Sequence, residues 1–560
     1  MRTSLALALS LTLGLVACAP AEPPKTPASA APAPTSGATP EGAVTPVAGT
    51  PAAPADPFAV AAPLREETLP SGAVPPLDPS LRLPETTAGV PKAPASCAPF
   101  EKRKATKAPA CDTNESALAA LDGALAELDE GKRDAALLGL EGCAGLSAGL
   151  VRALRVDLAP PVCGDVLAAP VLAKPPSAMR GDVQQALVGQ ALAARLARLS
   201  GSAPKLAGAA DKAKLMAHLG GPVLAWMKEQ ATAVQDLSAV GVKLGAYGRA
   251  IVAAEAGLAD LRLVEALREL PLPSELAKDD ELKTAYYAAL DEVLEPRKAR
   301  GRDAALVGLR DLATVGVLRD ARVTRARELL SKMYGGRRID ALDGLLLPPL
   351  AAPASATVAQ RLAARLPTFH AGILLDTSYV KDPTTLRALL ERGLSVPHRA
   401  ALRGALAPDV AVLVGRARIG LGQVYWRALD FDEAAAALAS VPAASRSEEG
   451  TFLLALAIAL RGGPEDASGM IRNAPVVASG MGRVVALDAL AAKGGTLAGA
   501  AAFDAARVLE LVAPEGASAA YFRDVSARYA KAATLLPDSA KKTEAGERSK
   551  AAAATAAAVR

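Results

Sequence analysis

From about residue 97 onward, apolar residues recur every three to four positions in runs of about 10 to 18 residues, broken by Gly, Pro or Asp. That spacing puts Ala and Leu on one stripe of a 3.6-residue helix. Glu115 to Asp129 reads as the first helix, with Asp112, Thr113 or Asn114 as its N-cap. Asp134 to Gly142 reads as its antiparallel return. Further helices are expected at Val183 to Leu199, Val223 to Leu237, Leu282 to Leu294, Asp303 to Ala313, Val323 to Met333 and Thr385 to Arg392. Two more follow at Ser518 to Leu536 and Ser539 to Val559. No convincing run alternates apolar and polar residues as a half-buried strand would. At Val410 to Val414 the flanks are helical, with a short strand as the alternative. Composition agrees: Ala and Leu dominate, and aromatics make up only 3%, which favours helix over sheet.

The first residues follow another pattern. Arg2 precedes a short apolar run, Leu5 to Ala17. It is shorter than the roughly 20 residues a membrane span needs but suits a secretory signal. The run ends in Leu15-Val16-Ala17-Cys18, which resembles the lipobox of bacterial lipoproteins. The resemblance implies removal of residues 1–17 and lipidation of Cys18. Ala19 rather than Asp at the next position implies the outer membrane, so the expected site is the cell envelope, held by lipid alone. No later apolar run reaches 18 residues; the longest, Phe452 to Leu460, fits a buried helix.

Residues 18–96 are expected to be a lipidated cysteine and a disordered linker. Nineteen prolines occur in residues 19–96, mixed with Ala, Thr, Ser and Gly. Such a composition buries too little apolar surface to offset the entropy of ordering; docking of the stretch near Pro84 to Pro94 on the body stays open. Fully extended, it would reach about 240 Å at about 3.1 Å per residue.

Repetition organises the remainder. Leu421, Gly422, Tyr425, Phe431, Glu433, Ala434 and Leu438 resemble the tetratricopeptide pattern at seven consensus spacings. The match departs at Arg418, where Trp is usual, at Val441, where Ala is usual, and at Pro442, which arrives early. Leu454, Ala455, Gly462, Ala467, Ile471 and Ala474 continue it more loosely, as does Ala505-Leu509-Val512. Earlier, Arg133-Asp-Ala-Ala-Leu-Leu-Gly-Leu140 recurs as Arg302-Asp-Ala-Ala-Leu-Val-Gly-Leu309. The resemblance implies an all-α fold, an α-solenoid of helix hairpins that bury their apolar faces on one another. Residues 97–400 would form a helical repeat region and 401–560 the tetratricopeptide-like C-terminal repeats. With Cys18 lipidated, Cys97, Cys111, Cys143 and Cys163 remain, an even and clustered set that reads as two disulfides in an oxidising compartment. In an antiparallel hairpin Cys111 would lie near Cys143, leaving Cys97 for Cys163. The sequential pairs Cys97–Cys111 and Cys143–Cys163 stay open as the alternative.

Candidate chemistry is sparse. The net charge of +5 on 560 residues is mild and offers no concentrated basic face for nucleic acid. His218, His370 and His398 lack partners at metal-ligand spacing and read as solvated or capping residues, and no metal or cofactor is expected. Gly145-Leu-Ser147-Ala-Gly149 matches a nucleophile elbow in spelling, but a helix precedes it where the motif needs a strand. Ser202-Ala-Pro-Lys205 and Ser539-Ala-Lys-Lys542 have Ser-x-x-Lys spacing without companion motifs. Asp279-Asp280, Glu448-Glu449, Arg337-Arg338 and Lys541-Lys542 read as solvated surface, and Trp226, Trp426, Tyr286 and Tyr287 as helix-borne core. The expected function is a non-enzymatic scaffold or adaptor that binds envelope proteins or peptides, with the groove placed on Arg418, Tyr425, Arg427 and Phe431. The alternative is a peptidoglycan-acting enzyme or enzyme activator carrying a helical superhelix.

Overall fold

A computed structural model describes residue 58 and residues 75–85, 87–107, 109–200, 204–206, 212–272, 277–314, 317, 320–348, 357–366, 369–370, 373, 407–461, 481–537 and 539–559. The signal segment, Cys18, the helix expected at Thr385 to Arg392, His398 and most of the second repeat unit lie outside them. Among the described residues every regular element is a helix. The principal ones are α1 (Asn114–Ala126), α2 (Glu130–Leu140), α3 (Leu150–Leu158), α4 (Gly164–Ala173), α5 (Gly181–Ser200), α6 (Leu224–Gly241), α7 (Ala246–Arg268), α8 (Asp280–Thr314), α9 (Ala321–Tyr334), α10 (Arg337–Asp343) and α11 (Val358–Arg365). After these come α12 (Pro408–Tyr425), α13 (Ala428–Ala439), α14 (Glu448–Leu460), α15 (Val485–Lys493), α16 (Ala498–Leu511), α17 (Ala519–Leu535) and α18 (Ala540–Ala558).

Local chemistry sets the boundaries. Thr113 and Ser116 form a reciprocal capping box at the start of α1, each satisfying an amide the first turn would otherwise leave bare. Asp129, Asp320, Ser447, Ser518 and Ser539 cap α2, α9, α14, α17 and α18 with a one-way bond, each side-chain oxygen accepting from an amide of the first turn. Gly335 ends α9 in the left-handed region at φ 69°, which glycine enters without steric cost.

The helices pack in consecutive pairs, as an α-solenoid requires: α1 on α2, α7 between α5 and α8, α12 on α13, and α16 through α18 in series. Two long-range returns supplement this order. The segment carrying α11 crosses back onto α1, and α10 lies against α16. One large apolar core runs from α5 to α18, while separate cores lie under α1–α3, under α3–α7 and between α6, α7 and the start of α8.

The two expected helices at 282–294 and 303–313 are a single 35-residue α8 that continues through Pro296. An interior proline costs about 3 kcal/mol. Here that turn is tied down by tertiary contacts, because Arg297 and Arg300 both reach Asp260 of α7, at 3.1 and 2.6 Å. The Val410 to Val414 stretch is helical, inside α12.

The body also begins earlier than Cys97. From Pro75 an extended strap lies on α5: Gly181 N–H donates to Pro75 O at 2.9 Å, and Gln184 and Asp78 exchange two hydrogen bonds of 2.9 and 2.7 Å. Leu77, Leu81, Leu83 and Val90 pack on the neighbouring core. A Cβ on Gly181 would fall 2.6 Å from Pro75 O, so only glycine admits the strap this close. The sulfurs of Cys97 and Cys163 lie 1.99 Å apart and those of Cys111 and Cys143 2.07 Å apart, the nested arrangement.

One device recurs between helices. A buried aspartate is held by two arginines of nearby segments: Asp134 by Arg103 and Arg155, Asp165 by Arg195 and Arg198, Asp260 by Arg297 and Arg300, Asp122 by Arg361 and Arg365, and Asp430 by Arg418 and Arg427. Removing the carboxylate of Asp134, Asp165 or Asp430 would strand a buried guanidinium, that of Arg155, of Arg195 and Arg198, or of Arg418, a costly change, whereas Arg300, Arg361 and Arg365 keep contact with water.

Candidate functional site

The expected groove residues turn out to belong mainly to the interior. Arg418, Tyr425 and Phe431 are buried at 4%, 3% and 4% exposure, so these three do not form a partner-facing surface. Phe431 fills the corner of the α12–α13 hairpin, where a Cβ on Gly422 would lie 2.6 Å from its ring. Tyr425 donates its hydroxyl hydrogen to Val317 O, joining the C-terminal helices to the segment after α8. Arg418 pairs with Asp430 at 2.9 Å and with Glu433, and Arg427 meets Asp430 at 3.3 Å. The physical reason is charge balance: Asp430 and Glu433 project inward from α13, and the Arg418 guanidinium is what makes their burial tolerable. Arg427 alone of the four retains moderate side-chain exposure, at 16%.

The surface feature of this region lies at the ends of the next helices. A cleft of about 830 Å³ opens between the α13–α14 connection and the α15–α16 turn. Its floor includes Val441, Phe452, Leu490, Leu497 and Ala498, and its polar edge carries Arg446, Glu448, Thr451 and Lys493. Sequence places it there simply. Pro442 ends the hairpin early, Ser447 restarts the chain as the α14 cap, and Gly494 and Gly495, at φ 83° and 105°, turn α15 into α16. Glu448 ties the two sides together: its carboxylate accepts from Leu497 N–H at 3.2 Å and from Thr496 Oγ1 at 3.0 Å. Arg446 donates to Val441 O at 2.6 Å. The cleft also contains Phe58, a linker residue far away in sequence, half-buried and packed against the main core. Sequence reading missed this site because its walls are loop ends, which carry no periodic signal.

A second polar cluster sits deep in the body. His370 Nε2 lies 2.6 Å from Asp157 Oδ2, the Tyr247 hydroxyl reaches the same oxygen at 3.3 Å, and Arg322 approaches Asp157 Oδ1 at 3.8 Å. Phe369 stacks on Tyr247 with ring centroids 4.0 Å apart. Burial opposes ionisation of Asp157, but the His370 hydrogen bond and the His370 and Arg322 charges outweigh it and hold this carboxyl below its ordinary value. Burial, with the Asp157 and Asp320 charges, pushes the Tyr247 phenol well above its usual value. An aspartate–histidine pair is the base half of a nucleophilic triad. His370 is fully enclosed, however, and its Nδ1 meets no hydrogen-bonding partner among the described residues. The cluster therefore clamps the returning segment beside α11 onto α3 and α7.

The other candidate residues resolve plainly. His218 and His370 are both buried, not solvated or capping. His218 sits where the helix preceding α6 gives way to a π turn over Leu219–Val223. Arg338 is likewise interior, at 2% exposure, unlike its expected surface reading. Gly145 to Gly149 is a turn leading into α3, with Gly149 at φ 78°. Trp426 and Tyr286 are core residues, while Trp226 and Tyr287 are half-buried. Among the described residues no group of three or more His, Cys, Asp or Glu side chains is placed to hold a metal, and no helix is long and apolar enough to cross a membrane. Comparison with protein-family models, curated proteins and solved structures gives no match to this chain.

Proposed function

We propose that this chain is a lipid-anchored adaptor of the bacterial cell envelope, attached through Cys18, that binds protein or peptide partners on its helical body. The observation that carries the reading is the cleft between α13–α14 and α15–α16, which already accommodates an aromatic side chain from the Pro-rich segment of the same chain. A surface that seats Phe58 has the chemistry to seat a comparable aromatic from another protein. The Leu15-Val16-Ala17-Cys18 sequence supports lipid attachment, and two cystine pairs suit an oxidising compartment. Anchoring of this kind is stable when several acyl chains are buried, at about 0.8 kcal/mol per methylene. The tetratricopeptide-like pattern around Gly422 and Phe431 adds the class of protein that presents such surfaces, and Ala19 favours the outer membrane.

Cell fractionation tests the anchor: Cys18→Ala should move the protein from the membrane to the soluble envelope fraction. Crosslinking in native membranes tests the adaptor role, because a passive spacer would yield no reproducible partner. Clearing of a peptidoglycan gel by the purified protein would overturn the non-enzymatic reading in favour of a peptidoglycan-acting one.

A further inference from the structure

We propose that the α13–α16 cleft is a peptide-docking site whose resident occupant is the chain's own linker, seated through Phe58, so that the lipid-to-body arm has two working lengths. The adaptor reading supplies the meaning of the arm; the docking itself rests on the cleft alone.

Three observations converge. Phe58 is the only aromatic residue in positions 19–96, and before it in that stretch only Val44 and Val47 are larger apolar residues than Ala or Pro. This single suitable anchor is the one found in the cleft, packed on the main core. With Phe58 in its wall the cleft still leaves about 830 Å³ open, room beside that ring for several more residues; pockets of roughly 300–1,000 Å³ hold ligands of that bulk. Charge also fits. Arg446 and Lys493 line the cleft, the Glu448 carboxylate is already engaged by Leu497 and Thr496, and Asp56 stands two residues before Phe58 in the chain.

Tethering makes a weak site sufficient. The strap fixes the chain to α5 at Pro75, so Phe58 is presented by a short connection of residues 59–74. Short connections give effective concentrations of about 1 mM. A cleft with a dissociation constant of about 0.1 mM for the free peptide would then be about nine-tenths self-occupied.

Occupancy sets reach. With Phe58 seated, the arm from Cys18 comprises residues 19–57; with it released, residues 19–74. A chain of 39 or 56 residues, fully extended at about 3.1 Å per residue, would span at most about 120 or 170 Å. A partner presenting an aromatic beside an acidic residue would displace Phe58 and lengthen the arm in the same event.

The test is a binding titration with a fluorescent peptide of residues 52–64 and full-length protein, wild type and Phe58→Ala. The variant should bind the peptide saturably, and wild type about tenfold more weakly because its tethered Phe58 competes for the same wall. A peptide carrying Phe58→Ala should bind neither. Leu490→Arg, at a half-buried position of the cleft, in the Phe58→Ala background should abolish binding, with an unchanged circular dichroism spectrum showing that the fold persists. Equal affinity of wild type and Phe58→Ala, or no binding to Phe58→Ala, would overturn the proposal. Neither result depends on Cys18, so failure of the membrane-release experiment would remove the anchor and leave the docking intact.

Discussion

The α7–α8 contact passes through glycine, and a single methyl group there tests the packing. Gly308 of α8 faces α7 so tightly that a Cβ would fall 2.6 Å from Ala254 Cα, and reciprocally a Cβ on Gly257 would fall 2.7 Å from Ala305 Cα. Both clashes are with backbone, so no rotamer change relieves them. Gly308→Ala must push the two helices apart, around contacts made by Ile251, Leu258, Leu261, Ala305, Leu309 and Leu312. Overpacking of this kind costs about 1–3 kcal/mol, and a rigid backbone contact belongs in the upper part of that range. Alanine returns up to about 1 kcal/mol through helix propensity. The net expectation is a loss of about 1–2 kcal/mol. Gly123, inside α1, has nothing within 4 Å of its would-be Cβ, so Gly123→Ala should instead stabilise by about 0.5–1 kcal/mol. Urea unfolding followed by far-ultraviolet circular dichroism reads both variants; opposite signs are required. If Gly308→Ala unfolds at or above the wild-type midpoint, α7 and α8 do not approach as described.

Other perturbations give distinct signatures. Burial pushes the Asp504 carboxyl well above its ordinary value, against the opposing hydrogen bond from Leu346 N–H at 2.7 Å and the charges of Arg507 and Lys541. A raised folded value means that stability falls as pH rises from the unfolded carboxylate value towards the folded one; Asp504→Asn should flatten that slope and stabilise the protein at pH 7, as thermal melts across pH would show. Asp157 has the opposite sign: its value is lowered, so its contribution is present above the ordinary carboxylate value and is lost as pH falls through the folded one. His370→Ala should cost about 3 kcal/mol by stranding that buried carboxylate, with hydrogen exchange rising first in α3 and in the segment after α11; unchanged exchange there would refute the clamp. Replacing Cys111 and Cys143 with Ala opens a cross-link spanning 32 positions and should cost about 3–4 kcal/mol in the chain-entropy account, seen as a lower urea midpoint for the α1–α2 hairpin.

Much of the fold was legible in the chain because helix periodicity and capping are local. Thr113 announces α1, and Gly422 with Phe431 announces the α12–α13 corner; Asp129, read as the end of the first helix, is instead the cap of α2, because an aspartate closing one helix and one opening the next look alike in sequence. The continuity of α8 was hidden, since Pro296 signals a break and only the distant Asp260 offsets it. The strap was hidden for a similar reason: residues 75–96 look like the rest of the Pro-rich linker, and their partners Gly181 and Gln184 lie about a hundred positions away. Arg418 was misplaced onto the surface because an arginine's usual environment is water; its inward acids, Asp430 and Glu433, were visible nearby in the sequence but not their direction. The cleft itself had no sequence signature beyond Phe58 standing alone among prolines.

The paired-arginine aspartates have a consequence for identity as well as for strength. Alanine and leucine stripes are nearly interchangeable, so two such helices slid by one turn would bury much the same oily area. A carboxylate that must meet two particular guanidiniums permits one alignment and penalises its neighbours. Shape is thus written in a few ionic coordinates, such as Asp134 with Arg155 or Asp165 with Arg195 and Arg198. The apolar residues between them are left wide freedom to drift while the architecture stays put.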